Sequence, residues 1–491
     1  MIDIKRLRDD NFYERNYYLL FFIIVILSSF LGIFHITYRS FWTDEIITLN
    51  SISLSFKDLV IERMKNGHLP VYFILLKLWA KYFGDSEFAL RLFSAICYIF
   101  SSIVLLITAK RFFGKKYGLL CGLFYIITQR SVWAAQEARP YALTLFIIIL
   151  TYLLYDNLTK KINIINIFFF LLISVFGILI SPLYFIVIIS MFIPSLILYL
   201  KNRSNYELKI ICILYAVIFI ASLACLAWLS HLKSNESQDI VFKFVSMKKA
   251  ILRPLNDVFW GEDKYALFKA LKYIATLLTV VIVLKYILNL FSVKNSPDFT
   301  IFCWLLIPFL IIYFMQSFVS FNVASYRYYS ITLGAAAFFK TSFIKNLKSY
   351  NKKLFFVIVF IAAQLLFTFT FIYSKGDMLR EGVKHIGANY KKGELVIGYY
   401  ALRYDIFKYY DTGVKDLIEI NKNIKYSKKI LKILEKSDKI HGQNIWVILY
   451  KPKPKEDEPI ELLEILQEDF GYKIKSKWVN NQTFVYYFVK E

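Results

Sequence analysis

Asp44 and Glu45 stand side by side just after an apolar run, YYLLFFIIVILSSFLGIFHIT, that covers residues 17–37. A carboxylate at the edge of a low-dielectric region can accept a proton from a hydroxyl. An interfacial turn anchored by Trp42, with both acids simply in water, accounts for the same residues. Neighbouring side chains point different ways, so the two acids are expected to differ in role, one facing a substrate and the other bracing a loop or a cation. His68 follows in NGHLPVYF, residues 66–73, either as part of a Gly/Pro turn or within reach of the same site. The stretch QRSVWAAQEARPYALTL, residues 129–145, places Glu137 and Arg139 just before Pro140 and Tyr141. A planar guanidinium there is a good fork for a lipid-linked phosphate, and a snorkelling arginine with an acid partner gives the same pattern. SYRYY, residues 325–329, repeats the theme with Arg327 and Tyr328. Lys248 and Lys249, with Lys243 and Arg253, fall in a further loop, where they suit anionic headgroups or phosphates, or form a solvated surface.

The elements that must carry these residues follow from composition. Of 491 residues 58% are hydrophobic, 19% aromatic and only 20% charged, which excludes an ordinary soluble domain. Apolar runs about 20 residues long, enough to cross a bilayer, recur along most of the chain. They predict a polytopic α-helical membrane protein of about 11 transmembrane helices, at 17–37, 91–109, 117–130, 140–156, 163–180, 183–200, 209–229, 266–291, 299–318, 328–343 and 354–373. The first run is too long for a signal-peptide core and is read as a retained helix.

Net charge is +24, and most of the excess lies in residues 1–374, which hold 38 Lys/Arg against 19 Asp/Glu. Under this threading the basic clusters at Lys5/Arg6/Arg8, Lys110/Arg111/Lys115/Lys116, Lys160/Lys161, Lys201/Arg203/Lys209 and Lys345/Lys348/Lys352/Lys353 share one side, which makes that side, with the N-terminus, cytoplasmic. Loops 38–90, 129–140, 230–265 and 319–327 then face outward, and every candidate residue lies in or beside them. No nucleic-acid motif accompanies the positive charge. The five cysteines fall in apolar runs without paired spacing, so neither a disulfide framework nor a zinc site is expected. A divalent metal beside Glu45 or His68 is compatible with those side chains, but no ligand spacing compels one.

Residues 375–491 lose the membrane pattern. Helical DMLREGVKHIGANYKKG, SKKILKILEKSDK and PIELLEILQEDFG alternate with strand-like ELVIGYY and NIWVILYK, before YKIKSKWV and TFVYYFVK. The alternation predicts a small extracytoplasmic α/β domain. It contains neither a glycine-rich phosphate loop nor a nucleophile elbow.

WTDE, GHLPVYF with FGDSEFALRLFSA, EARPYAL and SYRYYSITLGAA occur in that order. In this they resemble the polytopic GT-C glycosyltransferases of the protein mannosyltransferase and lipid A aminoarabinose transferase type, over roughly the first 345 residues. The tail also looks like the extracytoplasmic domain that bacterial members carry. The resemblance implies an inverting transferase that moves a sugar from a polyprenyl-phosphate carrier to a hydroxyl of a lipid, a cell-envelope glycan or a protein, at the outer membrane face. It places the catalytic acids on Asp44 and Glu45, with the aspartate as base. It places Arg139 on the donor phosphate, beside Glu137 and Tyr141, the loop histidine on His68, and the later Arg-Tyr pair on Arg327 and Tyr328. Lys248 and Lys249 are further phosphate candidates. A lipid-linked glycan ligase or polymerase would use the same groups. A transporter would set its ionisable residues near mid-bilayer at a repeat interface, and no repeat is visible. A plain anchor for the tail would need none of them.

Overall fold

The computed structural model describes residues 10–201, 203–232, 251, 253–260, 279–280, 283, 297–318, 326–374, 379–399, 404–410, 412–420, 432–435, 440, 443–450, 461–480 and 483–490. The chain divides into two compact units, Met1–Ile36 with Ser51–Ile372, and Thr37–Asn50 with Tyr373–Glu491.

The first unit is helical. Its elements are α1 (Asp10–Ile33), α2 (Thr43–Ser53, whose first eight residues belong to the second unit), α3 (Phe56–Lys65), α4 (Val71–Phe83), α5 (Glu87–Phe113), α6 (Lys115–Ile126), α7 (Gln129–Ala135) and α8 (Tyr141–Lys160). Then come α9 (Ile164–Ile180), α10 (Leu183–Lys201), α11 (Tyr206–Leu232), α12 (Arg253–Phe259), α13 (Pro297–Phe318), a 3-10 turn (Tyr326–Thr332), α14 (Leu333–Lys345) and α15 (Tyr350–Ile372). Among the described residues six helices are long and apolar enough to span a bilayer: α1, α5, α8, α10, α11 and α15. α9 and the apolar stretch of α13 are shorter. The apolar run expected at 117–130 is two helices, not one, because α6 stops at Ile126 and α7 restarts at Gln129. The run at 328–343 opens as the 3-10 turn before α14. The span at 266–291 lies almost entirely outside the described residues.

Local signals set the helix ends. Ser86 caps α5 by accepting the Ala89 N–H at 3.2 Å, and Asn163 caps α9 through Asn166 N–H at 2.8 Å. Gly114, at φ 82, closes α5 and opens α6 in a backbone conformation that side chains disfavour. α5 and α6 then pack with almost no spacing: a Cβ on Gly118 would lie 2.8 Å from the Lys110 backbone. Gly118 and Gly122 stand four apart, the arrangement that lets membrane helices approach closely. Buried hydroxyls tie the bundle across helices, with Ser101 to Tyr125 at 2.7 Å, Thr151 to Tyr184 at 2.8 Å and Tyr155 to Ser195 at 3.0 Å.

One end of this unit is a basic collar. Lys116 pairs with Asp10 at 3.0 Å, Lys115 pairs with Glu14, and Lys353 donates to Tyr117 at 3.0 Å. Arg111 and Lys160 both reach buried Asp156, at 3.3 and 2.7 Å.

The second unit holds a five-stranded sheet of order β2-β1-β3-β5-β4, with β1 (Leu395–Tyr399), β2 (Leu417–Ile420), β3 (Ile445–Tyr450), β4 (Tyr472–Asn480) and β5 (Thr483–Lys490). β1 runs parallel to β2 and β3, while β5 is antiparallel to β3 and β4. α16 (Leu379–Asn389), α17 (Tyr404–Tyr409) and α18 (Glu461–Glu468) complete it. Leu462, Ile465 and Leu466 of α18 join Leu395, Ile397, Ile445, Val447 and Phe488 in one core. Against the other face, Gly382 of α16 lies so close to Thr483 and Ile448 that a side chain would not fit.

Gly118→Val cannot be absorbed by a rotamer change, because the obstacle is backbone. It should push α5 from α6 and lower the melting temperature of the purified protein by several degrees, consistent with roughly 1–3 kcal/mol for overpacking. Gly67→Ala, where nothing lies within 4 Å but φ is +76, should cost less, about 1 kcal/mol of backbone strain.

Candidate functional site

Asp44 and Glu45 occupy the first turn of α2. Glu45 is fully buried, and its Oε2 accepts the Trp42 N–H at 3.3 Å, so this carboxylate closes the helix from its third position. Asp44 sits one residue earlier and is partly exposed, and its backbone carbonyl accepts the Thr48 hydroxyl at 3.0 Å. Ile46 and Leu49 turn inward at helical spacing and fix which way the turn faces. Of the two neighbouring acids, Glu45 is the one whose side chain accepts this capping bond.

In the helical unit, the segment joining α6 to α8 is held from three sides by buried side chains. Thr368 of α15 donates to Ile127 O at 2.7 Å, and Gln364 donates to Thr128 Oγ1 at 2.9 Å and to Phe259 O at 3.2 Å. Gln136 donates to Leu31 O and Phe34 O at the end of α1, at 3.1 and 2.9 Å. Ser94 of α5 donates to Glu137 O at 2.6 Å. Arg139 N–H then folds back on Glu137 O at 2.7 Å, and Pro140 opens α8. This rigid frame buries Glu137 and Arg139 together, at 4% and 5% exposure, with Tyr141 packed on Trp133 at 4.9 Å.

A second loop brings cations to the same place. The last turn of α3 carries Arg63, almost wholly buried against the Phe73 ring at 5.1 Å and gripped by both oxygens of Glu62. Gly67, at φ 76, reverses the chain so that the His68 N–H bonds to Arg63 O at 2.9 Å. Burial, first, then Arg139 and Arg63 push the His68 pKa down to about 3 from its ordinary 6.5. His68, Arg139 and Arg63 are thus close enough to feel one another, and His68 stays neutral among two guanidinium groups. An anion entering here meets charge from the arginines and a hydrogen-bonding imidazole between them. Lys77 of α4, next along the same loop, donates to the carbonyls of Ile52 and Leu54 at 2.7 and 2.6 Å and ties down the last turn of α2.

The 3-10 turn packs against α7, α8 and α12 and carries Arg327 and Tyr328, both partly exposed. It is fixed by Trp304 donating to Ile331 O at 3.1 Å and by Ser330 donating to Arg327 O at 2.7 Å. Lys248 and Lys249 lie outside the described residues. Three buried groups escaped the sequence reading: Arg63, and the pair Arg130 and Asp257, 3.9 Å apart between α7 and α12. Arg130 stood in the quoted stretch at 129–145, and its only signal was a charge inside a helix that turns out to be wholly buried. Among the described residues no three His, Cys, Asp or Glu side chains converge to hold a metal, beside Glu45 or His68 or elsewhere.

The lowered His68 pKa has a stability consequence. The unfolded chain takes up a proton near pH 6.5 that the folded chain refuses until about pH 3, so this contribution is complete above 6.5 and is lost progressively as pH falls below it. His68→Gln should therefore flatten the fall in melting temperature between about pH 6.5 and 4.5, measured against wild type in the same detergent.

Residues 67–228 match the family model of dolichyl-phosphate-mannose-protein mannosyltransferases, a stretch that includes His68, Glu137, Arg139 and Tyr141. No curated protein is matched by the whole sequence. Two solved structures match almost end to end. The crystal structure of ArnT from Cupriavidus metallidurans bound to undecaprenyl phosphate has 12% identity and a TM-score of 0.58, covering 96% of this chain and 98% of that one. The apo form of the same protein gives 12% and 0.59 over the same shares. The chain is a multi-pass membrane protein with the ArnT-like GT-C fold.

Proposed function

We propose that this protein is an inverting glycosyltransferase that moves a sugar from a polyprenyl-phosphate carrier to a hydroxyl acceptor at the extracytoplasmic face of the membrane. The observation that carries the reading is the pair of buried guanidinium groups, Arg139 and Arg63, with the half-buried His68 near both. It is held in a membrane-embedded helical unit whose fold matches ArnT, a protein crystallised with undecaprenyl phosphate. A nucleotide-sugar donor is a poorer fit, since the chain has no glycine-rich phosphate cradle.

In the reaction, the acceptor oxygen bonds to the anomeric carbon as the bond from that carbon to the phosphate oxygen breaks, inverting the centre. Asp44 takes the acceptor's proton. The electron pair of the broken bond stays on polyprenyl phosphate, and Arg139 meets the charge that develops there, with Arg63 behind it. His68 offers its imidazole as a neutral hydrogen-bond partner for a phosphate oxygen. Glu45 keeps the first turn of α2 closed, and Glu137 and Tyr141 frame Arg139. Arg327, Tyr328, Lys248 and Lys249 are assigned to later contacts along the carrier or its phosphate.

Sidedness follows from charge. Lys110, Lys115 and Lys116 of the collar, which also holds Arg111, Lys160 and Lys353, contact the start of α1, whereas Gln136, next to Glu137, bonds to the end of α1. Basic ends face the cytoplasm, which puts the N-terminus inside and the phosphate-binding cluster outside. Residues 1–374 form the catalytic membrane region and 375–491 an extracytoplasmic α/β domain. The acceptor is a hydroxyl of a lipid, an envelope glycan or a protein.

The test compares cell-envelope glycans by mass spectrometry with and without the protein, then with variants. Loss of the general base in Asp44→Asn should lower transfer by about 10²–10⁴-fold while leaving undecaprenyl phosphate binding within about twofold. Arg139→Ala should weaken undecaprenyl phosphate binding by roughly ten- to a hundredfold, the range for one charge-assisted bond, and reduce transfer with it. Near wild-type transfer by purified Asp44→Asn would remove the base assignment.

A further inference from the structure

The residues that carry the two acids do not cluster with the helices that precede and follow them. Thr37–Asn50 packs as part of the C-terminal unit. Three contacts within that unit explain this. The N–H of Leu379, first residue of α16, is one of the four that a helix leaves without an internal partner, and the hydroxyl of Ser40 accepts it at 2.9 Å in a buried setting. Ser40 thus caps a helix 339 positions further along the chain. The next residue, Arg380, donates from Nη1 to Thr37 O at 3.1 Å while its Nη2 pairs with Glu381 at 2.7 Å. Phe41, fully buried, lies against the Tyr409 ring of α17 at 5.6 Å. Two residues after Phe41 the chain enters α2, whose first turn is closed by Glu45 on Trp42, with Asp44 inside that turn.

We propose that the α/β domain is the positioning element for Asp44. Ser40, Arg380 and the Phe41–Tyr409 contact hold the strap at 37–41, and the strap sets the direction of the aspartate. This rests on the reading of Asp44 as base given above, and it assigns the domain a task other than acceptor capture. Arg380 and Ser40 touch no substrate; they act through the segment they hold. A carboxylate one residue away from a rigid cap is aimed by it, and a displacement of about 1 Å at such a group is enough to cost up to 10²-fold in rate.

The experiment uses the full-length protein in lipid nanodiscs and three readouts: hydrogen exchange of peptides covering 37–50, binding of undecaprenyl phosphate, and formation of the glycan product. Arg380→Ala and Ser40→Ala should each speed exchange in 37–50 by about tenfold and lower product formation by about tenfold, with undecaprenyl phosphate binding kept within about twofold. Arg380→Lys, which still reaches a carbonyl, should restore both. A variant that merely misfolds would lose binding as well. Unchanged exchange, or faster exchange with full product formation, overturns the positioning role while Asp44→Asn remains inactive. If Asp44→Asn is itself fully active, the functional reading falls and the positioning role with it, and the exchange readout still reports whether strap and domain are joined.

Discussion

A peptide segment inside an apolar bundle has no water to bond with, so its polar groups must be met by the protein or not at all. The chain from Ile127 to Arg139 lives under that constraint. It breaks the helical run at Thr128, buries a seven-residue helix, and brings three ionisable side chains, Arg130, Glu137 and Arg139, to a buried setting. Each departure is answered by a reaching side chain: Thr368 and Gln364 from α15, Gln136 onto the end of α1, Ser94 from α5. The bonds come from three helices distant in sequence, and the site exists only when all three are assembled. At the other end of α5, close packing on α6 runs through Gly118 against the Lys110 backbone.

Much of this was readable from the chain. Apolar runs of bilayer length reveal membrane helices because nothing else needs them, and Glu137 and Arg139 stand out because ionisable residues in such surroundings are costly to retain. Adjacency alone set Asp44 and Glu45 facing different ways, and the capping bond from the Trp42 N–H goes to Glu45. Arg63 stayed hidden for a physical reason. Its helix, FKDLVIERMK, alternates charge like a solvated surface, and only the tertiary packing of Phe73 above it makes that position a buried one. In the tail, α16, β1, β3 and α18 lie within segments of the expected type, and β4 and β5 fill the two closing stretches, whereas α17 and β2, six and four residues long, are too short for periodicity to register. The union of 37–50 with the C-terminal unit had no local signature, since a serine that caps a helix hundreds of residues away looks like any loop serine.

Electrostatic restraint marks the cluster of Arg63, His68 and Arg139. Two arginines and a histidine carry a strongly cationic composition, yet Glu62 holds Arg63 through both oxygens, and burial with the two arginines pushes the His68 pKa down to about 3. On the proposed reading this moderation has a kinetic logic. Donor and product both present a polyprenyl phosphate, so any attraction felt equally by the two slows product departure without aiding the chemical step. An arginine already engaged by a carboxylate contributes most where extra charge appears as the bond breaks, and less to holding what was there before and remains after. On that reading, the same cluster built with a free Arg63 and a protonated histidine would bind the carrier more tightly and release it more slowly.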